Sequence, residues 1–318
     1  MAKCFSLTAA RDWCYRCSFS NAGLQPTVKD LGDGTVMHCW VPKTRKETKP
    51  HLVLLHGFGA NAMWQWGDMV RLLAPHFNVY VPDLVFFGGS YTTRPERSEL
   101  FQAGCVMRVM EANKVGKMRV VGLSYGGFVA YCMAARWPEA VEQVVVCGAG
   151  VGLEEKDLAE GMFPVADLEE AAAILLPQTP EKMRELLRYA FFKSPKAVPS
   201  CLLRDFVDVM HKEHLEEKRE LIRAIPKDRK LSDLPKITQP TLIIWGDHDQ
   251  IFPLELAYRL KRHLGANSEL VVVKNAGHAF IAEKPKEVLR HLKSFLIDSA
   301  PSFNKLSSGS SQTTTADY

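Results

Sequence analysis

Short, nearly all-apolar runs alternate with stretches of helical spacing along most of this chain. Residues 27–31 and 36–41 flank Gly32-Asp33-Gly34, a turn signal, and predict a hairpin. Residues 51–55 read as a short strand that ends at Gly57. Residues 61–74 carry Trp64, Met69, Leu72 and Leu73 at helical spacing, and Pro75 closes them. A strand over 78–81 follows, then a helix over 98–113 with Gly116 just beyond it. Residues 118–121, 144–147, 241–245 and 270–273 are further apolar, β-branched runs. Strands of this kind suit a parallel sheet covered on both faces. Helical patterns separate them. The βαβ alternation predicts an α/β fold with a mostly parallel, doubly wound sheet.

Residues 152–235 break the alternation. They read as helical over 168–176, 181–192 and 202–225, with no convincing strand. Pro164, Pro177, Pro180, Pro195, Pro199, Pro226 and Pro235 punctuate them. A helical insertion between two strands of the sheet is the natural reading. The chain then divides into an N-terminal segment (1–26), a core (27–151 and 236–298), the helical insertion (152–235) and a Ser/Thr-rich tail (299–318), expected to be disordered.

The chemistry concentrates at Gly122-Leu123-Ser124-Tyr125-Gly126. An apolar run enters this Gly-x-Ser-x-Gly turn and a helix-compatible stretch, 128–136, leaves it. A serine on a sharp strand-to-helix turn is pushed out of the backbone, where a base can reach its hydroxyl. Serine is a poor nucleophile unaided. It needs a base, and the base needs an orienting carboxylate. Of the ten histidines, His278 follows the last predicted strand, in the kind of loop that gathers at the carboxyl edge of such a sheet. His211, His214, His263 and His291 lie in helical or charged stretches and read as surface residues. His56, before Gly57, is a separate case. The acid should also follow a strand. Asp247 and Asp249 both lie just past residues 241–245, and either could instead cap the helix started by Pro253. The order Ser…Asp…His suits a hydrolase of this type. Oxyanion donors are expected from the backbone N–H of Tyr125 and of Phe58, in the His56-Gly57-Phe58-Gly59 loop.

Composition narrows the setting. The chain has 318 residues, 47% hydrophobic and 24% charged, with a net charge of +4, which does not argue for nucleic acid. The basic run 43–49 contains Glu47 and reads as a solvated loop. Cys14 and Cys17 form a lone Cys-x-x-Cys without the second pair that a structural zinc site needs. Cys105, Cys132 and Cys147 lie in apolar segments and read as core residues. Reduced thiols and an intracellular, cytoplasmic setting are expected. No apolar run reaches the length of a membrane span. The aromatic residues Phe5, Trp13, Tyr15 and Phe19 suit packing onto the domain, with peripheral contact to a lipid surface as the alternative.

Four segments together carry a resemblance: His56-Gly57-Phe58-Gly59, the Ser124 turn, Gly246-Asp247-His248-Asp249-Gln250-Ile251-Phe252-Pro253, and Gly277-His278. From about residue 27 to 296 the chain resembles α/β-hydrolase fold serine hydrolases, most of all plant members described as monoacylglycerol-lipase-like or esterase-like. The resemblance implies Asp249 rather than Asp247 as the acid, and 152–235 as a cap over the site. It implies hydrolysis of a small ester, of lipid character, through an acyl-enzyme on Ser124, with neither metal nor cofactor. Met162, Phe163, Leu186, Leu187, Phe191 and Phe192 of the cap are candidate contacts for an acyl chain. One departure stands out. Where many relatives carry Gly-x-Gly-x-Ser after Pro-Asp, this chain has Leu84-Val85-Phe86-Phe87-Gly88-Gly89-Ser90, so Phe86 and Phe87 are candidates to narrow the acyl pocket. Carbon–carbon bond hydrolases and small-molecule hormone receptors share the scaffold and remain the alternatives.

Overall fold

The computed structural model describes residues 6–165, 167–195 and 197–298. Helix α1 (Leu7–Asn21) starts at Ser6, whose side chain accepts the Ala9 N–H. A hairpin follows, β1 (Leu24–Asp30) antiparallel to β2 (Thr35–Pro42). β1 begins earlier than its apolar pattern suggests, because main-chain pairing runs on to Leu24 opposite Pro42 while Gln25 and Pro26 stay exposed. The chain continues through β3 (His51–Leu55), α2 (Ala62–Leu73), β4 (Asn78–Pro82), the short β5 (Tyr91–Thr92), α3 (Glu99–Ala112), β6 (Met118–Leu123), α4 (Tyr125–Arg136) and β7 (Val141–Cys147). Among the described residues five α-helices then precede β8: α5 (Lys156–Ala159), α6 (Leu168–Leu175), α7 (Pro180–Ala190), α8 (Ser200–Met210) and α9 (Leu215–Ala224). β8 (Thr241–Gly246), α10 (Glu255–Leu264), β9 (Ser268–Val273), α11 (Phe280–Glu283) and α12 (Pro285–Lys293) complete the order.

The strands form one sheet in the order β1-β2-β4-β3-β6-β7-β8-β9, with β5 added beside β2. The pairs β1–β2 and β2–β4 are antiparallel, and the pairs from β4 to β9 are parallel. Each inner strand sends alternate residues to two separate cores. Val53, Val120, Val144 and Ile243 enter one with α3, α4 and α10. Leu54, Val121, Val145 and Ile244 enter the other with α2 and α12. Both faces are apolar, and so the strands read as unbroken apolar runs. The winding direction reverses between β3 and β6. The loops after those two strands therefore splay apart into a crevice at the carboxyl edge of the sheet.

Two expectations need correction. Residues 202–225 are two helices, not one, because residues 211–214 interrupt them and His214 sits at φ 52°. His211 is not a surface residue. It is only 2% exposed, held where α8 turns into α9 against the core. The N-terminal aromatics divide: Phe19 is buried, Tyr15 is half-buried, and Trp13 is 65% exposed, while Phe5 lies outside the described residues. Residues 299–318 also lie outside them. Among the described residues no helix is long and apolar enough to cross a membrane.

Two arginines tie the five-helix segment to the helices that flank the sheet. Arg259 of α10 holds the Asp157 carboxylate with Nη1 at 2.6 Å and Nη2 at 3.0 Å. Arg229 pairs with Glu99, donates to the Ile225 carbonyl at 2.8 Å, and lies over the Phe128 ring.

Candidate active site

Ser124 stands between β6 and α4 at φ 53°, ψ −122°, a conformation that costs a non-glycine residue energy. The surroundings force it. Its N–H donates to the Cys147 carbonyl at 2.8 Å, and its carbonyl accepts the Gly127 N–H at 2.8 Å. A Cβ on Gly122 would fall 2.2 Å from the Gly126 carbonyl oxygen, so only glycine lets the turn close. The loop after β3 passes just as close: a Cβ on Gly57 would lie 2.6 Å from the Ser124 Cβ.

Three loops converge at this edge. His278 Nε2 lies 3.0 Å from Ser124 Oγ, and His278 Nδ1 lies 2.8 Å from Asp249 Oδ2. The buried Asp249 carboxylate is fixed by its other oxygen, which accepts the N–H groups of Ile251 and Phe252, each at 2.9 Å. Phe252 also packs its ring against His278. Asp247 does different work. Its Oδ1 lies 2.7 Å from His248 Nδ1 and accepts the Ala276 N–H at 3.2 Å, bracing one loop against the next.

Tyr125 is the first residue of α4, so its N–H has no acceptor within the helix. Phe58 lies in the loop after β3 that flanks Ser124. Gln65 of α2, which the sequence pattern does not single out, fixes that loop. Its Oε1 accepts the Gly57 N–H at 2.8 Å, and its Nε2 donates to the carbonyls of Gly57 and Phe58. His56 is a structural staple: Nδ1 lies 2.8 Å from the Gly57 carbonyl oxygen, and Nε2 accepts the Leu84 N–H at 2.9 Å. Burial lowers its pKa below the ordinary histidine value, which suits the neutral tautomer that this pattern requires.

Ser124 and His278 open into a cavity of about 400 Å³ with mostly apolar walls. Of the cap residues expected to touch substrate, Leu186, Leu187 and Phe191 line it. Phe163 lines a smaller neighbouring pocket of about 100 Å³, which shares Leu175 and Ile251 with the larger cavity. The other candidates are corrected. Phe87 packs on the rings of His56 and Phe58, and Phe86 packs against His214 beneath the Arg97 guanidinium. Both are buried in the core, because the turn in which the Phe87 N–H donates to the Leu84 carbonyl rolls them inward. Met162 packs against the same core, and Phe192 turns outward onto His248 at a ring distance of 4.3 Å. Beside Phe58 and Phe191, the cavity takes aromatic wall from Tyr15, Trp64 and Phe206. The spacing of α2 places the half-buried Trp64 on the face opposite its buried Trp66. Nothing in the sequence says which helix that face meets. Among the described residues no group of three or more His, Cys, Asp or Glu side chains could hold a metal ion.

Comparison with known proteins agrees with this architecture. The sequence profile of the α/β hydrolase fold family matches residues 50–285. Monoacylglycerol lipase ABHD6 of Bos taurus is 30% identical over 271 residues, covering 81% of this chain and 78% of that protein. A 2-hydroxy-6-oxononadienedioate/2-hydroxy-6-oxononatrienedioate hydrolase of Klebsiella pneumoniae is 27% identical over 269 residues, covering 79% and 83%. A bacterial membrane phospholipase A, known as a crystal structure, superposes with a TM-score of 0.73 at 27% identity, over 91% of this chain and 90% of that one. The chain belongs to the α/β hydrolase fold family. It is a serine hydrolase of that fold and a carboxylic ester hydrolase. These relatives are vertebrate and bacterial and say nothing of a plant affiliation.

Proposed function

We propose that the protein hydrolyses a lipid ester with a single acyl chain, such as a monoacylglycerol, through an acyl-enzyme on Ser124. The observation that carries this reading is the Ser124 hydroxyl at 3.0 Å from His278 Nε2, both residues lining an apolar cavity large enough for an acyl chain. His278 takes the hydroxyl proton as Ser124 Oγ attacks the ester carbonyl, and Asp249 holds the resulting imidazolium. The backbone N–H groups of Tyr125 and Phe58 donate to the oxyanion, each contributing about 3 kcal/mol to the transition state. The imidazolium returns its proton to the leaving alcohol. A water molecule then releases the acyl group through the same base.

The wall of the cavity supports lipid over the alternatives. A carbon–carbon bond hydrolase of the kind named for the Klebsiella relative handles a dicarboxylate, which calls for a cationic contact. The described residues lining this cavity include no lysine or arginine, and Asp68 would repel such a substrate. A receptor on the same scaffold would bind its ligand with little turnover.

The test is turnover and labelling of the purified chain. Multiple turnovers on monoacylglycerols are expected, with covalent labelling by a fluorophosphonate probe. Ser124→Ala should lose both while keeping the circular dichroism spectrum. Labelling that persists in Ser124→Ala would remove the nucleophile assignment. A melting temperature that rises with ligand, without turnover, would favour the receptor.

A further inference from the structure

Helix α1 lies outside the family match, which begins at residue 50, yet it reaches the cavity that holds Ser124. Tyr15 of α1 lines that cavity. Its ring meets Trp64 of α2 edge to face, with centroids 5.4 Å apart, and Trp64 in turn meets Phe206 of α8 at 5.2 Å. Three helices far apart in sequence thus contribute one continuous aromatic wall. Edge-to-face pairs of this kind hold their rings at fixed positions.

The seat of Tyr15 is built for a ring. Gly67, one turn after Met63 on α2, leaves the space: a Cβ there would lie 2.3 Å from Tyr15 Cδ1 and Cε1. The Tyr15 hydroxyl accepts from Arg11 at 3.0 Å, which turns the polar end of the ring away from the apolar wall and toward the surface. The helix itself is tied down at both sides. Asp12 Oδ1 accepts the Trp64 indole N–H at 3.1 Å and the Asn61 amide at 3.3 Å, and the Thr8 N–H donates to Asp205 of α8 at 2.8 Å.

We infer that Tyr15 is a specificity-determining residue: α1 supplies a fixed aromatic stop that limits the length of acyl chain the cavity accepts. This rests on the ester hydrolase reading above. An acyl chain attached to Ser124 must run along the apolar wall, and Tyr15, Trp64 and Phe206 form part of that wall. Removing the ring leaves room for further methylenes, each gaining about four-fold in transition-state binding when buried. A larger ring has the opposite effect.

The experiment compares kcat/KM for the p-nitrophenyl esters of acetate, octanoate and palmitate on the full chain. In Tyr15→Ala the ratio of palmitate to octanoate should rise at least about four-fold over the wild type, the gain from one newly buried methylene. In Tyr15→Trp it should fall, and in Tyr15→Phe it should match the wild type, since only the Arg11 hydrogen bond is lost while the guanidinium still lies over the ring. Should Tyr15→Ala fail to fold by circular dichroism, Tyr15→Leu against Tyr15→Trp gives the same contrast. A wild type that hydrolyses these esters, with a ratio unmoved by either substitution, overturns the inference alone. A wild type inactive on all three overturns the hydrolase reading with it.

Discussion

Asp249 and Asp247 are two residues apart, yet only Asp249 faces His278, at 2.8 Å, while Asp247 turns to His248 at 2.7 Å. The difference predicts opposite outcomes for the same conservative change. Asp249→Asn keeps the volume but removes the acceptor that holds the Nδ1 proton, so the wrong histidine tautomer faces Ser124. Hydrolysis should fall by about ten-thousandfold. Asp247→Asn should cost less than about tenfold, since the braced loops keep their backbone contacts. Steady-state rates on one ester decide it. A larger loss in Asp247→Asn would transfer the acid role to that residue.

Gly126 predicts a fold-level cost beside the nucleophile. A Cβ there would sit 2.5 Å from the Leu55 carbonyl oxygen and 2.6 Å from that of His56, and neither backbone group can move without shifting β3. Gly126→Ala should therefore destabilise the protein by about 3 kcal/mol and displace Ser124. A Cβ on Gly104, within α3, would meet nothing within 4 Å, and Gly104→Ala should stabilise by about 0.5–1 kcal/mol. Urea unfolding of the two variants measures both signs.

The sheet is legible in the sequence because its inner strands are covered on both faces. Val53, Val120, Val144 and Ile243 need no polar partner on either side of them, so each strand stands out as an apolar run. The loops carrying Ser124, Asp249 and His278 are legible for a related reason: each follows such a run. The wall of the cavity is not legible. Phe86 and Phe87 are adjacent to a loop of the site but roll into the core, whereas Tyr15, Trp64 and Phe206 reach the cavity only because α1, α2 and α8 pack together. Sequence spacing records the period of each helix and not which helix it meets. The break between α8 and α9 is hidden likewise, because Lys212 and Glu213 continue a plausible helical surface and the turn depends on His214 at positive φ.

The Arg259–Asp157 pair should control how firmly the five-helix segment is attached. The Asp157 side chain is 1% exposed and that of Arg259 16%, so removing the arginine leaves an uncompensated carboxylate under the segment. Arg259→Leu should cost about 3 kcal/mol. The double variant Arg259→Leu, Asp157→Asn should recover part of it, because the buried charge is gone. Thermal unfolding reads the energies. Limited proteolysis should cut the single variant within residues 152–235 sooner than the wild type.

His211 predicts how stability depends on pH. Burial lowers its pKa from the ordinary 6.5 to about 4, with the nearby Lys218 acting in the same direction and the Gly59 backbone opposing them. The imidazole is therefore neutral in the folded protein and binds a proton more readily when unfolded. Between 6.5 and about 4 the unfolded chain carries that proton and the folded chain does not, so stability is greatest above 6.5 and declines as the pH falls through this window. A separation of this size corresponds to about 3 kcal/mol. In His211→Phe the contribution disappears. Urea unfolding at about pH 7 and about pH 4 should show the wild type losing roughly that much more than the variant over the interval. Equal losses in the two proteins would mean that the His211 imidazole takes up its proton in place, and that the turn between α8 and α9 opens to water without unfolding the rest.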